Sequence, residues 1–161
     1  MMGENELVLQ GQNVRTQYAY APPLTIECDV VLEGRAAGDG SFDLYFLPVG
    51  QPLDVSPARL TRFHIVYSNT GEYGSADRLE IDRRDGARNF VVWTEAPFKV
   101  EVGKVYRLKV SLLSRGKLNI SINDVDFRIP DAVSLPYHSF QIQLGGWQPT
   151  NRWHVRHFSI H

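Results

Sequence analysis

An all-β fold, two antiparallel sheets packed face to face as a jelly-roll sandwich, is what this chain predicts, and three observations predict it. The first is period-two alternation. Tyr106, Leu108, Val110 and Leu112 fall on one side of a strand, with Arg107, Lys109 and Ser111 on the other. Leu118, Ile120 and Ile122 alternate with Asn119, Ser121 and Asn123, and Phe140, Ile142 and Leu144 with Gln141, Gln143 and Gly145. Such a pattern gives a strand one dry face and one wet face. The second observation is turn chemistry between the apolar runs: Gly38-Asp39-Gly40, Asp85-Gly86 and Arg115-Gly116, dipeptides that suit tight connections. The third is the lack of a convincing helical pattern. Asp131-Ala132-Val133 is expected to form no more than one short turn before Pro136.

Taken in order, strands are expected at about 6–10, 13–20, 24–33, 41–47, 60–67, 77–83, 88–94, 105–114, 117–123, 125–129, 139–146 and 153–160, with ends uncertain by roughly 2–4 residues. Pro48 to Pro57 (PVGQPLDVSP) is too proline-rich for a central strand and reads as a loop. Ser68 to Ala76 (SNTGEYGSA) reads as a second long polar loop, carrying Tyr73. No fixed internal period suggests a propeller or solenoid.

The 161 residues fit a single domain spanning 1–161, with 1–5 outside its core. With 43% hydrophobic and 22% charged residues the composition is that of a globular protein. The net charge is −1 with both signs interspersed, so no basic face is offered to a phosphate backbone and nucleic acid is not expected as a partner. No segment approaches membrane-spanning length, and a membrane partner is not expected. MMGENELVLQ lacks the charged-then-apolar order of a signal peptide, which leaves the cellular address open, extracellular and periplasmic included. The single cysteine, Cys28, is in phase with Leu24, Ile26, Val30 and Leu32; it is expected to be a buried, inert thiol.

With the strands laid out, the segments LTIECDVVLEG (24–34), SFDLYFLP (41–48), FHIVYSN (63–69), RLEIDRRDG (78–86), GKVYRLKVSLLSRGKLNISINDVDF (103–127), FQIQLGGW (140–147) and VRHFSI (155–160) together resemble the concanavalin A-like lectin/glucanase superfamily. Within it the chain looks most like the small carbohydrate-associated modules annexed to bacterial glycan enzymes, distantly including 3-keto-disaccharide hydrolase-type domains. The resemblance implies that strands 41–47, 60–67, 77–83, 88–94 and 139–146 form the concave sheet. It also implies that a poly- or oligosaccharide is the partner.

Alternation then places Asp43 and Tyr45, Arg62 and His64, Arg78, Glu80 and Asp82, and Gln141 and Gln143 on the outward face, and Trp93 joins them if its strand faces that way. The expected binding set is Tyr45, Arg62, His64, Glu80, Asp82, Trp93, Gln141 and Gln143. Flat rings suit the C–H faces of sugars, and charged or amide groups suit their hydroxyls. Trp93 has an alternative place in the core, with Val91 outward, because ARNFVVWTE is apolar on both sides.

Glu80-Ile81-Asp82-Arg83-Arg84-Asp85 resembles the Glu-x-Asp-x-x-Glu signature of laminarinase-type glucanases, which makes Glu80 and Asp82 the alternative catalytic residues of a glycoside hydrolase. Retaining chemistry needs two carboxyls about 5–5.5 Å apart. The third position here is Asp85, followed by Gly86, a better turn than a catalytic acid. The preferred reading is therefore a non-catalytic glycan-binding module, with hydrolysis as the rival and a protein-interaction sandwich using the loops 48–57 and 68–76 as the third. Trp147 and Trp153 flank GWQPTNRW, a loop able to overhang one end of the groove, and Trp153 has an equal claim to the core. No cofactor is expected. The histidines show no coordinating spacing, and calcium, which some relatives use, has no Asp/Asn-rich loop to hold it.

Overall fold

A computed structural model describes residues 5–35, 38–51, 59–69, 76–147 and 151–161. Twelve strands run in chain order: β1 (Glu6–Leu9), β2 (Val14–Arg15), β3 (Leu24–Leu32), β4 (Gly40–Pro48), β5 (Arg59–Tyr67), β6 (Arg78–Asp85), β7 (Arg88–Glu95), β8 (Val105–Leu112), β9 (Leu118–Ile122), β10 (Val125–Phe127), β11 (Phe140–Trp147) and β12 (Trp153–Ile160). Each of these strands coincides with one expected from the sequence. The stretch expected at 13–20 is the exception in extent: only Val14 and Arg15 form a strand, and Tyr20 adds one isolated bridge to Phe140. One short 3-10 turn, Ser114–Gly116, joins β8 to β9, with Arg115 and Gly116 both at positive φ.

The strands form two six-stranded antiparallel sheets, ordered β1-β12-β3-β8-β9-β10 and β2-β11-β4-β5-β6-β7. This is the two-layer sandwich that alternation demands, because each sheet has one apolar face to hide. Phe42, Leu44 and Phe46 of β4 and Phe63, Ile65 and Tyr67 of β5 meet Ile26, Cys28 and Val30 of β3 and Leu108 and Val110 of β8 in one core cluster. Phe46 meets Phe140 edge-on at 5.5 Å, and Phe42 lies 6.0 Å from Trp153. Trp153 is therefore a core residue, 1% exposed.

The Asp85-Gly86 hairpin forms as its chemistry predicts. Asp85 pairs with Arg88 across the turn, and Gly86 takes φ 62°, a conformation L side chains rarely adopt. Cys28 is buried, and burial foremost, then the neighbouring Asp29 charge, pushes its thiol up to about 12. A thiol-reactive probe should accordingly label the native protein far more slowly than the denatured one; rapid native labelling would show that β3 is out of register.

Candidate functional site

The outer face of the second sheet carries the chemistry. Antiparallel register sets its side chains in cross-strand rows. One row runs Gln143, Tyr45, Arg62, Asp82, Val91 across β11, β4, β5, β6 and β7; the next runs Gly145, Asp43, His64, Glu80, Thr94. A third brings Ser41 beside Val66 and Arg78. Residues twenty positions apart in sequence thus become neighbours.

His64 is the centre. Its Nδ1 lies 2.7 Å from Asp43 Oδ1 and its Nε2 2.9 Å from Asp82 Oδ1. Asp82 also receives a bidentate fork from Arg62, Nε to Oδ1 at 3.0 Å and Nη2 to Oδ2 at 2.6 Å. Asp43, 1% exposed, accepts from the Ser41 hydroxyl at 2.6 Å and the Tyr45 hydroxyl at 3.0 Å. The Arg62 guanidinium also sits 5.5 Å over the Tyr45 ring.

Burial alone would raise both aspartates, but the charge and hydrogen bonds of His64 and Arg62 reverse it. Asp43 is held below the usual carboxylate range, and Asp82 is lowered to about 2, chiefly by the hydrogen bonds from His64 and Arg62. Burial would lower His64, yet the Asp43 charge and the hydrogen bonds to Asp43 and Asp82 raise it. Burial also pushes the Tyr45 phenol up, so it stays a neutral donor.

Above this floor lies a groove of about 370 Å3, lined by Ser41, Arg62, His64, Val66, Arg78, Glu80, Asp82, Asn89, Phe90 and Val91. Arg78 Nε bonds Glu80 Oε2 at 2.8 Å along one rim. Phe90 and Val91 of β7, 46% and 54% exposed, are the apolar residues of its lining besides Val66. Gly145 completes the row beside Asp43, and a Cβ there would press on the side-chain oxygen of the exposed Asn13, which would have to turn away.

Of the residues expected from sequence, Arg62, His64, Glu80 and Asp82 come together in the groove, and Tyr45 supports it from the adjoining position. Gln141 and Gln143 share the sheet face but lie across β4 and are engaged elsewhere, Gln143 Oε1 by Arg15 Nε at 3.0 Å and Gln141 Nε2 by the Thr16 carbonyl at 3.1 Å. Trp93 is corrected. It pairs with the core residue Ile81 and packs against the core, because a bulge between Ile81 and Asp82 shifts the register of β7 and leaves Val91 opposite Asp82. Tyr73 and the Trp147 side chain lie outside the described residues, as do most of both long loops.

The anchor role of Asp43, and the places of Ser41, Asn89 and Phe90, were not singled out from sequence. An aspartate inside the apolar run FDLYF was the available signal.

His64, Glu80 and Asp82 present ligand atoms within 4.8 Å of one another. A cation there would have to displace the hydrogen bond between His64 and Asp82 and strip a proton from the ring. The same closeness serves the hydrolase alternative, but Asp82 spends both oxygens on Arg62 and one also on His64.

No family model and no curated protein sequence matches the chain. Solved structures do. A carbohydrate binding module, CBM66 from Bacillus subtilis, superposes with TM-score 0.65 at 13% identity over 98% of this chain and 96% of that one. CG-16, a homodimeric agglutinin from chicken liver, gives 0.58 at 11% identity over 98% and 100%. A toad ovary galectin in complex with thio-digalactose gives 0.59 at 9% identity over 97% and 98%. The fold is the concanavalin A-like sandwich. At these identities the likeness carries architecture alone, so what this concanavalin A-like sandwich does must be argued from its groove.

Proposed function

We propose that this concanavalin A-like sandwich binds a glycan in the groove on the outer face of β4 to β7, as a non-catalytic module. The observation that carries the reading is the Arg62 fork. A buried carboxylate holds it bidentately, and it lines a groove that Asn89, Phe90 and Val91 of β7 also line. A guanidinium fixed before the ligand arrives loses little freedom on binding a sugar hydroxyl. Asn89 and Glu80 add an amide and an acceptor, and Phe90 offers a face for sugar C–H groups. Support also comes from the structural neighbours: a carbohydrate binding module, an agglutinin, and toad ovary galectins in complex with thio-digalactose and N-acetylgalactose.

Affinity electrophoresis through gels carrying immobilised glucan, galactan or fructan tests the reading. Phe90→Ala touches an exposed wall and Arg62→Lys keeps the charge but loses the fork. Each is expected to weaken retention by roughly 1–3 kcal/mol. Unchanged retention in both would remove this groove as the site.

The hydrolase alternative is separated by Glu80→Gln, which removes a charge and keeps shape. A binding module then shows a modest change in retention and no turnover in either form, whereas a hydrolase loses turnover and keeps its sugar.

A further inference from the structure

We infer that His64 determines specificity: held as an imidazolium between Asp43 and Asp82, it brings the groove floor to zero net charge and so selects uncharged glycans over charged ones. The inference rests on the glycan-binding reading above.

A neutral imidazole donates from one ring nitrogen and presents a lone pair at the other. Here both nitrogens face carboxylate oxygens, at 2.7 and 2.9 Å, so a neutral ring would press a lone pair against an oxygen lone pair. A protonated carboxyl is the other escape, and the donors aimed at both aspartates weigh against it, since each favours the charged form. Asp43 accepts on Oδ1 from Ser41 and on Oδ2 from Tyr45. Asp82 accepts the Arg62 fork on both oxygens. The proton belongs on His64. Its raised ionisation agrees with this placement.

Every charged group around the ring enters the balance. Asp43 faces it from β4, Asp82 and the cross-strand neighbour Glu80 from β6, and Arg62 lies two positions away on its own strand. Two buried carboxylates meet the buried His64 and the half-buried Arg62, and on the rim Glu80 is matched by Arg78. A charged ligand entering this groove gives up hydration and finds no unmatched counter-charge. An uncharged polyol loses far less and can use the remaining donors and acceptors. His64 itself keeps both N–H groups turned to the aspartates, so it acts by positioning and by charge.

Two measurements on the full chain decide this. In a nitrogen-15 labelled sample, both ring nitrogens of His64 are expected to be protonated at pH 7 and to titrate well above the free imidazole. In parallel, wild type is run at pH 6 to 10 on gels carrying neutral glucan, galactan or fructan, polygalacturonate, or a quaternary-ammonium dextran. Retention is expected on a neutral gel and not on the charged ones. It should fall by about tenfold or more as the His64 proton is lost in the nitrogen spectrum. His64→Gln should lose neutral retention at pH 7 by a similar factor and gain retention on the quaternary-ammonium dextran, since it leaves one carboxylate unmatched. If that variant fails to fold, Glu80→Gln unmatches Arg78 instead and should gain retention on polygalacturonate.

A neutral His64 ring at pH 7, stronger retention of a charged glycan, or neutral retention that stays flat while His64 deprotonates would each overturn the inference while leaving glycan binding intact. Retention on none of the gels, with an imidazolium seen by NMR, would bring down the glycan reading and the specificity drawn from it.

Discussion

Replacing Ile120 with aspartate is expected to abolish folding. Ile120 is 2% exposed in the middle of β9, opposite Val110, with Leu118 and Ile122 on the same face. Among the described residues no lysine or arginine is fully buried, so the new carboxylate enters ionised without a partner or takes up a proton. Either costs several kcal/mol, on the scale of the whole stability of a small domain, about 5–15 kcal/mol. The control is the next residue. Ser121 is half-buried on the outer face opposite Lys109, and Ser121→Asp should melt close to wild type. One residue changes the face, and the face changes the outcome. Far-UV circular dichroism with a thermal melt reads both variants. A cooperative melt for Ile120→Asp near that of wild type would show that the alternation of β9 has been assigned to the wrong side.

The same alternation explains how far the sequence could be read. β3, β4, β5, β8, β9 and β11 carry their core residues at period two, and those faces were legible, although Leu47, Leu60 and Val66 are buried at the other parity. β7 was not: Phe90, Val91, Val92 and Trp93 are apolar in succession, and a bulge there inserts one residue. Only the register, with Trp93 opposite Ile81 and Val91 opposite Asp82, decides which of them faces the groove. β2 was overdrawn because Val14 to Tyr20 has strand-like composition while its backbone pairs at only two positions and a bridge.

The site divides in the same way. That Arg62, His64, Glu80 and Asp82 lie on one face follows from parity along each strand. That His64 is clamped between Asp43 and Asp82 follows from pairing 43 with 64 and 62 with 82 across three strands, a fact held in the register of the sheet and in no local motif. Ion pairing of Glu80 and Asp82 with nearby arginines was legible as a chemical tendency, but its result was not. Exposed pairs contribute little, whereas Asp82 is 3% exposed and belongs to a buried network. Parity put Asp43 on the outward face, but its burial there as the anchor of His64 was marked only by its oddness, a carboxylate between Phe42 and Leu44.

Removing that carboxylate is the second large effect expected. Asp43→Ala leaves His64 and Arg62 as two cations against Asp82 alone and strands the hydroxyls of Ser41 and Tyr45. Breaking a buried charge network from one side costs about 3–5 kcal/mol, which urea unfolding at pH 7 would show as a large drop in midpoint. Asp43→Asn keeps the volume and an acceptor for His64 and should recover part of the loss; the remainder is the charge.

The pH profile gives an independent check on sign. His64 is raised above its ordinary 6.5, so its contribution is full below that value and is lost as pH rises through the folded value. Asp43 and Asp82 are lowered below 3.8, so theirs is full above it and is lost as pH falls, through about 2 for Asp82. Wild type should therefore hold a plateau between about pH 4 and 6.5 and weaken on both sides. In Asp43→Ala the His64 ring has lost the neighbour whose charge raises it most, so burial acts against it with only Asp82 opposing. The alkaline weakening should then begin at lower pH than in wild type. An alkaline limb that stays where it was would mean that Asp43 does not hold the proton on His64.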